Sequence, residues 1–262
     1  MIDLAALPWS ALLPFIIVGF VAQLVDGTCG AAFGMVSRAI LVLIGVPPVA
    51  ASAATHGVES FTSGVSGLAH AMQRNVDWSL FARLVVPGVI GGLLGVWVLT
   101  FADLAILQPV LVVYMAAVGA YLVWRAPRRP QTYRRIKFTR SLGLCGGFLD
   151  ASGGGWGPVV AGGLLAQGTN PRQAIGTANA AEFFVTVTIL AAFLGTMDFE
   201  MFTGAVAGLL IGGTAAAPLS AFLVRAIAPR VLTRLTGFVL LAASLYGIIV
   251  LMFENVAAFP RF

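Results

Sequence analysis

The sequence predicts an all-α polytopic membrane protein built from two inverted-topology repeats. Each repeat is a short broken-helix (re-entrant) hairpin followed by three transmembrane helices. Three observations predict this: too little charge to cover a water-facing surface, apolar stretches of two distinct lengths, and an internal match at an offset of about 123 residues.

The charge comes first because it excludes most alternatives. Of 262 residues, 59% are hydrophobic and only 10% charged, with 31 Gly and a mean hydropathy of +0.97. A soluble domain carries about 25% charge. The composition therefore excludes a soluble globule, a disordered chain and a nucleic-acid binder with a basic surface. Two cysteines, Cys29 and Cys145, stand apart with no CxxC. They argue against a redox enzyme or a disulfide scaffold and are expected as small buried apolar residues. The N-terminal MIDLAALPW lacks the basic region of a cleaved signal peptide.

Next come the elements in chain order. Apolar pieces near 10–25 and 32–46 are too short to cross comfortably, since a bilayer core needs about 20 helical residues. The glycine-rich break DGTCGAAFG at 26–34 joins them. Full-length spans are expected near 49–73, 78–101 and 104–125. A basic, proline-containing linker at 125–139 follows. Two short pieces, 140–150 and 156–168, flank a second break, DASGGGWG at 150–157. Spans near 172–196, 200–226 and 231–254 complete the chain. Glycine permits such breaks because it accepts φ > 0 and close approach.

The repeat is carried by special residues rather than by the apolar background. Asp26 falls near Asp150, Gly45 on Gly168, Pro48 on Pro171, Glu59 on Glu182, Phe61 on Phe184 and Asp77 on Glu200. The division is 1–124, linker 125–139, and 140–262, forming a single membrane domain. An odd number of crossings per repeat turns the second copy upside down, an arrangement used by transporters. Charge supports the layout. If the basic loop at 125–140 is cytoplasmic, 13 of the 15 Lys and Arg lie on that side. Both termini then lie outside, together with Asp3, Asp103, Asp198, Glu200 and Glu254. The net charge of +5 reads as topology, not as a nucleic-acid platform.

The breaks are the sharpest candidate site. The second arm of each hairpin starts inside the protein, and a helix N-terminus offers free N–H groups and about half a positive charge. Gly30, Gly34, Gly153, Gly154, Gly155 and Gly157 open the backbone to a ligand. Thr28, Cys29 and Ser152 add side-chain polar groups beside them. Two such ends facing each other form an anion site without a cofactor. The competing reading is tight helix packing, which accounts well for Gly88/Gly92 and Gly204/Gly208/Gly212. Asp26 and Asp150 are read as residues that fix the tips, over direct ligands. Arg38, in the second arm, is either an oxyanion contact or a structural ion-pair partner.

Glu59 and Glu182 lie inside full spans at equivalent positions. His56 shares a helix face with Glu59, and Asn179 precedes Glu182 in the same place. These carboxyls either carry a coupling proton or lock the repeats together as neutral, hydrogen-bonded groups. Ser52, Thr55, Ser60, Ser63 and Thr177 add polar groups nearby. His70 is expected near the cytoplasmic end and solvated. Trp9, Trp78, Trp97 and Trp124 fit interface belts.

At these residues the chain resembles a known family. The hairpins GFVAQLVDGTCGAAFG and GFLDASGGGWGP, each followed by a proline-containing turn, look like those of the TauE/SafE sulfite and organosulfur-anion exporters. NVDW at 75–78 and the looser MDFEM at 197–201 look like the family's turn after the third helix. The resemblance covers about 15–250. It implies an inner-membrane permease moving sulfite, sulfoacetate or a related sulfonate by alternating access with ion coupling. The family usually shows GGG in both tips; here the first reads GTCGAAFG.

The function expected is thus export of a small sulfur oxyanion, with a proton or another coupling ion as partner, no cofactor and no enzymatic activity. The alternative is a cation or divalent-metal permease using Asp26, Asp150, His56, Glu59 and Glu182. An intramembrane enzyme finds no supporting motif: no HExxH, CxxC or Ser/His/Asp set is present.

Overall fold

The computed structural model describes residues 9–31, 33–101, 107–126, 137–152, 154–194 and 204–257. Gly153, most of the linker, MDFEM and the acids Asp3, Asp103, Asp198 and Glu200 lie outside the described residues. Within them the chain is all-helical. The first five helices are α1 (Trp9–Cys29), α2 (Phe33–Leu43), α3 (Pro48–Met72), α4 (Trp78–Phe101) and α5 (Leu107–Arg125). The second five are α6 (Thr139–Asp150), α7 (Trp156–Gln167), α8 (Pro171–Leu194), α9 (Gly204–Ala226) and α10 (Pro229–Ala257).

Local chemistry sets several boundaries. Proline opens α3, α8 and α10, where its missing N–H costs nothing and its fixed φ suits the helix. The Asp77 carboxylate caps α4, accepting from the Ser79 and Leu80 amides at 2.9 and 3.0 Å. Gly45 and Gly168 take φ of +94° and +90° in the turns before α3 and α8, so each short arm ends in the same left-handed turn.

The helices pair through glycine faces. α1 runs parallel to α9: Gly208 meets Leu12 and Phe15, Gly212 meets Ile16 and Phe20, and Gly27 meets Ser220. α6 runs parallel to α4: Gly143 meets Leu84, and Gly147 meets Gly88 and Gly92. α3 and α8 are antiparallel, with Gly57 facing Leu190, Gly64 facing Phe183 and Gly67 facing Ala180. α5 and α10 are antiparallel as well, Val112 meeting Gly247 and Val123 meeting Gly237. Without Cβ atoms the backbones close up and gain dispersion contacts that apolar lipid cannot replace. Exchanging the first five helices for the second five reproduces this pairing, with α1 on α9 becoming α6 on α4.

The outside is apolar and the inside polar, the reverse of a soluble protein. On α4, Val86, Ile90, Leu93, Leu94 and Trp97 are exposed, whereas Asp26, His56, Glu59, Asp150, Asn179 and Glu182 are buried. Trp9, Trp78 and Trp124 are exposed near helix ends. One end of the bundle gathers three arginines: Arg172 donates to the Arg225 carbonyl at 2.7 Å, Arg225 to Gln73 Oε1 at 3.4 Å, and Arg125 to the Ala166 carbonyl.

Four expectations are corrected. The first arm is not a short 10–25 piece: α1 has 21 residues and is long and apolar enough to cross. Its helix runs through Asp26, Thr28 and Cys29, so the first break shrinks to 30–32. Gly27 stays helical because it packs on Ser220 and Ser66, where a side chain has no room. Six described helices, α1 among them, are long and apolar enough to span. α3 has the length at 25 residues, yet its Ser, Thr, His and Glu make it an interior helix. His70 is fully buried rather than solvated, and Cys145 is exposed rather than buried.

Candidate functional site

The two breaks cross at the centre of the bundle. A Cβ placed on Gly34, at the start of α2, would lie 2.7 Å from the Gly154 Cα. One on Gly157, at the start of α7, would lie 2.5 Å from the Gly30 carbonyl oxygen and 3.1 Å from the Ala31 Cα. Each second arm therefore begins against the other hairpin's tip. Only glycine allows this: Gly30 and Gly154 also adopt φ of +74° and +100°.

The two aspartates hold these ends. Asp26 Oδ1 accepts the Phe33 amide at 3.3 Å, and Asp150 Oδ1 accepts the Trp156 amide at 3.0 Å. Each carboxylate reaches across its break to the first amide of the next helix, doing the work of an N-cap from six or seven residues away. The Trp156 indole N–H donates to the Ala178 carbonyl at 3.0 Å and pins the start of α7 onto α8. The Ser152 hydroxyl turns back to the Leu149 carbonyl at 2.6 Å. Thr236 Oγ1 donates to the Cys29 carbonyl at 3.0 Å. The Thr28 hydroxyl is buried and makes no hydrogen bond among the described residues.

α3 delivers the titratable groups. His56 Nε2 donates to the Asp150 carbonyl at 3.0 Å, and its Nδ1 lies 3.2 Å from Glu59 Oε2 and 4.0 Å from Asp150 Oδ2. Glu59 Oε1 faces Gly34, 2.6 Å from where a Cβ would stand. Ser52 donates to the Ala151 carbonyl at 3.0 Å, a second link from α3 to the second tip. Asn179 has a different task from His56: its Oδ1 accepts from Ser66 at 2.8 Å and its amide donates to the Ile175 carbonyl at 3.1 Å. Ser63 and Thr186, 123 residues apart, meet at 3.5 Å where α3 crosses α8.

Beside the crossing lies a cavity of about 150 Å³ bounded by α2, α5 and α10. Arg38 and Ser152 border it, with Gln108 and Tyr246; Met35, Met115 and Leu111 supply apolar wall. Of the expected substrate contacts, Gly30, Gly34, Gly154 and Gly157 meet at the crossing, and Arg38 and Ser152 flank it. Thr28 and Cys29 sit in the last turn of α1. Gly155 packs on Leu149 and stays out of the junction.

Sequence reasoning missed a second buried histidine. His70 Nε2 donates to the Gly27 carbonyl at 3.0 Å, and its Nδ1 accepts from Asn75 at 3.2 Å. Asn75 also donates to the Ala221 carbonyl at 3.0 Å. This chain fastens the end of α3 to α1 and α9. The signal was available: Gly67, Ala71 and His70 continue the small-and-polar face of α3 to its end.

Comparison with known proteins agrees with this picture. The family model described as sulfite exporter TauE/SafE matches residues 15–247. A relative described as the probable membrane transporter protein YtnM of Bacillus subtilis (strain 168) is 33% identical over 259 residues, covering 95% of this chain and 86% of the relative. No solved structure matches the chain.

Proposed function

The chain belongs to the TauE/SafE family of sulfite exporters, and from that premise we propose that it exports a small sulfur oxyanion by alternating access with ion coupling. Sulfite, sulfoacetate and related sulfonates are the substrate class. The observation that carries the reading is the crossing of the two breaks, which sets the N-terminal ends of α2 and α7 against opposite tips. Each end contributes about half a positive charge. Asp26 and Asp150 occupy only the first amide of each, and Thr28 and Arg38 supply donors around them.

Coupling follows from charge. Asp26, Asp150 and Glu59 border the crossing and Glu182 is buried on α8, and an oxyanion entering beside these carboxyls is repelled unless cations enter too. A proton or another cation held by Glu59, Glu182, Asp26 or Asp150 offsets that repulsion, with His56 and Asn179 as their polar neighbours. Alternating access fits an inverted repeat. The antiparallel packing of α3 on α8 and of α5 on α10 supports that inversion, as does the recurrence of left-handed glycines at 30/154 and 45/168. Rocking of one repeat against the other then opens the crossing to either face. By the positive-inside rule the basic end, with the 125–139 linker, faces the cytoplasm of an inner membrane and both termini face outward.

Radiolabelled sulfite flux in proteoliposomes tests the reading. Gly154→Leu forces a side chain onto a residue at φ +100° and a Cβ to 2.6 Å from the Met35 amide nitrogen. The variant should insert normally and transport nothing. Wild-type flux in that variant would overturn the site.

A further inference from the structure

We propose that His56, Glu59 and Asp150 form a binding site for one divalent transition-metal ion of the zinc or cobalt class, set against the crossing of the two breaks. The inference deepens the tip-centred reading by naming the ion that accompanies the oxyanion.

The first observation is the tautomer. His56 Nε2 is 3.0 Å from a backbone carbonyl, which only accepts, so Nε2 carries a proton. In the neutral ring Nδ1 is then a lone pair, aimed at Glu59 Oε2 at 3.2 Å and Asp150 Oδ2 at 4.0 Å. Three acceptors pointing at one another in a buried site call for a cation between them. His70 shows the contrast: both of its ring nitrogens have complementary hydrogen-bond partners.

The second observation is burial. The three side chains are 0%, 5% and 1% exposed. His56 Nδ1, Glu59 Oε2 and Asp150 Oδ2 make no hydrogen bond among the described residues. Their ligand atoms lie within 4.8 Å of one another. Zinc bonds of about 2.0–2.2 Å separate ligand atoms by about 3–4 Å, and the 3.2 and 4.0 Å spacings from His56 Nδ1 fall in that range.

Each ligand is also held in place. The Asp150 carbonyl fixes the His56 ring, the supporting contact usual for a metal-bound imidazole. Phe193 stacks on that ring with centroids 6.3 Å apart. Asp150 spends Oδ1 on the Trp156 amide, which turns Oδ2 inward. Charge favours a cation here: a neutral imidazole and two carboxylates carry two negative charges, which a divalent ion offsets at membrane depth. Mixed imidazole and carboxylate ligands favour zinc, cobalt or manganese over the all-oxygen shells of calcium and magnesium. Three protein ligands leave further coordination positions, and Glu59 borders the crossing through Gly34, so an oxyanion there would lie beside the ion.

The test uses the detergent-purified full chain, stripped with chelator and titrated with Co²⁺ under visible spectroscopy. One equivalent should bind at about micromolar concentration with a ligand-field band. His56→Gln, Glu59→Gln and Asp150→Asn should each weaken binding at least ~10-fold while the protein stays monodisperse. Absence of binding by wild type below about 1 mM, with Zn²⁺ as well as Co²⁺, would overturn the proposal; so would wild-type affinity in all three variants. Sulfite flux measured beside it separates the two readings: flux without metal binding sinks this site alone, and metal binding without flux sinks the exporter reading alone.

Discussion

Replacing Gly34 with alanine adds one methyl at the place where the two breaks touch. Its Cβ would stand 2.7 Å from the Gly154 Cα and 2.6 Å from Glu59 Oε1. Carbon atoms rest at about 3.5–4.0 Å, so the crossing must part by about 1 Å. Gly154 is backbone and cannot swing aside. Overpacking of this kind costs about 1–3 kcal/mol. Alanine's better helix propensity returns about 1 kcal/mol, which leaves a net loss of about 0–2 kcal/mol. Function should suffer more than stability, because a displacement of about 1 Å in a preorganised site costs about 100-fold. The assay pairs thermal unfolding in detergent with initial sulfite flux in proteoliposomes. Gly57→Ala is the control: it too is in a helix, but its nearest neighbour is Leu190 Cδ1 at 3.9 Å, so the methyl has room. The control should keep full flux and gain stability. Equal flux in both variants would refute the claim that close approach at the crossing matters for transport.

Three further outcomes follow from the geometry. Trp156→Phe removes the indole bond to the Ala178 carbonyl and should cost about 1–3 kcal/mol in detergent unfolding. Arg140→Cys, in a chain whose Cys29 and Cys145 are replaced by serine, should react with an impermeant maleimide in inside-out vesicles and resist it in intact cells. Arg38→Ala should raise the sulfite concentration needed for half-maximal flux while leaving insertion unchanged, since Arg38 borders the cavity beside the second tip.

The fold class was legible because membrane burial and glycine packing leave strong marks on composition. The likeness of Asp26 to Asp150 and of Gly45 to Gly168 was legible because these residues carry tasks that apolar residues cannot. What sequence reasoning misread was local. GTCG looks like a break, but Gly27 is a helical glycine seated on α9, and the chain leaves the helix only at Gly30. His70 looked like an interface residue because it lies near a helix end. The structure sets its Nε2 on the Gly27 carbonyl, 43 residues away, and which residue it meets has no signature in spacing. Cys145 was taken for a buried residue, yet it sits on the outward side of α6, where lipid suits a small apolar group as well as a core does. The meeting of His56 with Asp150 joins residues 94 apart in the chain. Helix periodicity pairs His56 with Glu59 and says nothing about the carboxylate that completes the trio.

A reversible cross-link addresses the crossing and its role together. In the cysteine-free background, Ala31→Cys and Gly157→Cys place two thiols at the junction, where a Gly157 Cβ lies 3.1 Å from the Ala31 Cα. Oxidation should form the disulfide, and flux should be lost in the oxidised and the reduced protein alike, because a Cβ on Gly157 crowds the Gly30 carbonyl. Failure of the pair to cross-link, or undiminished flux through the locked protein, would contradict the account.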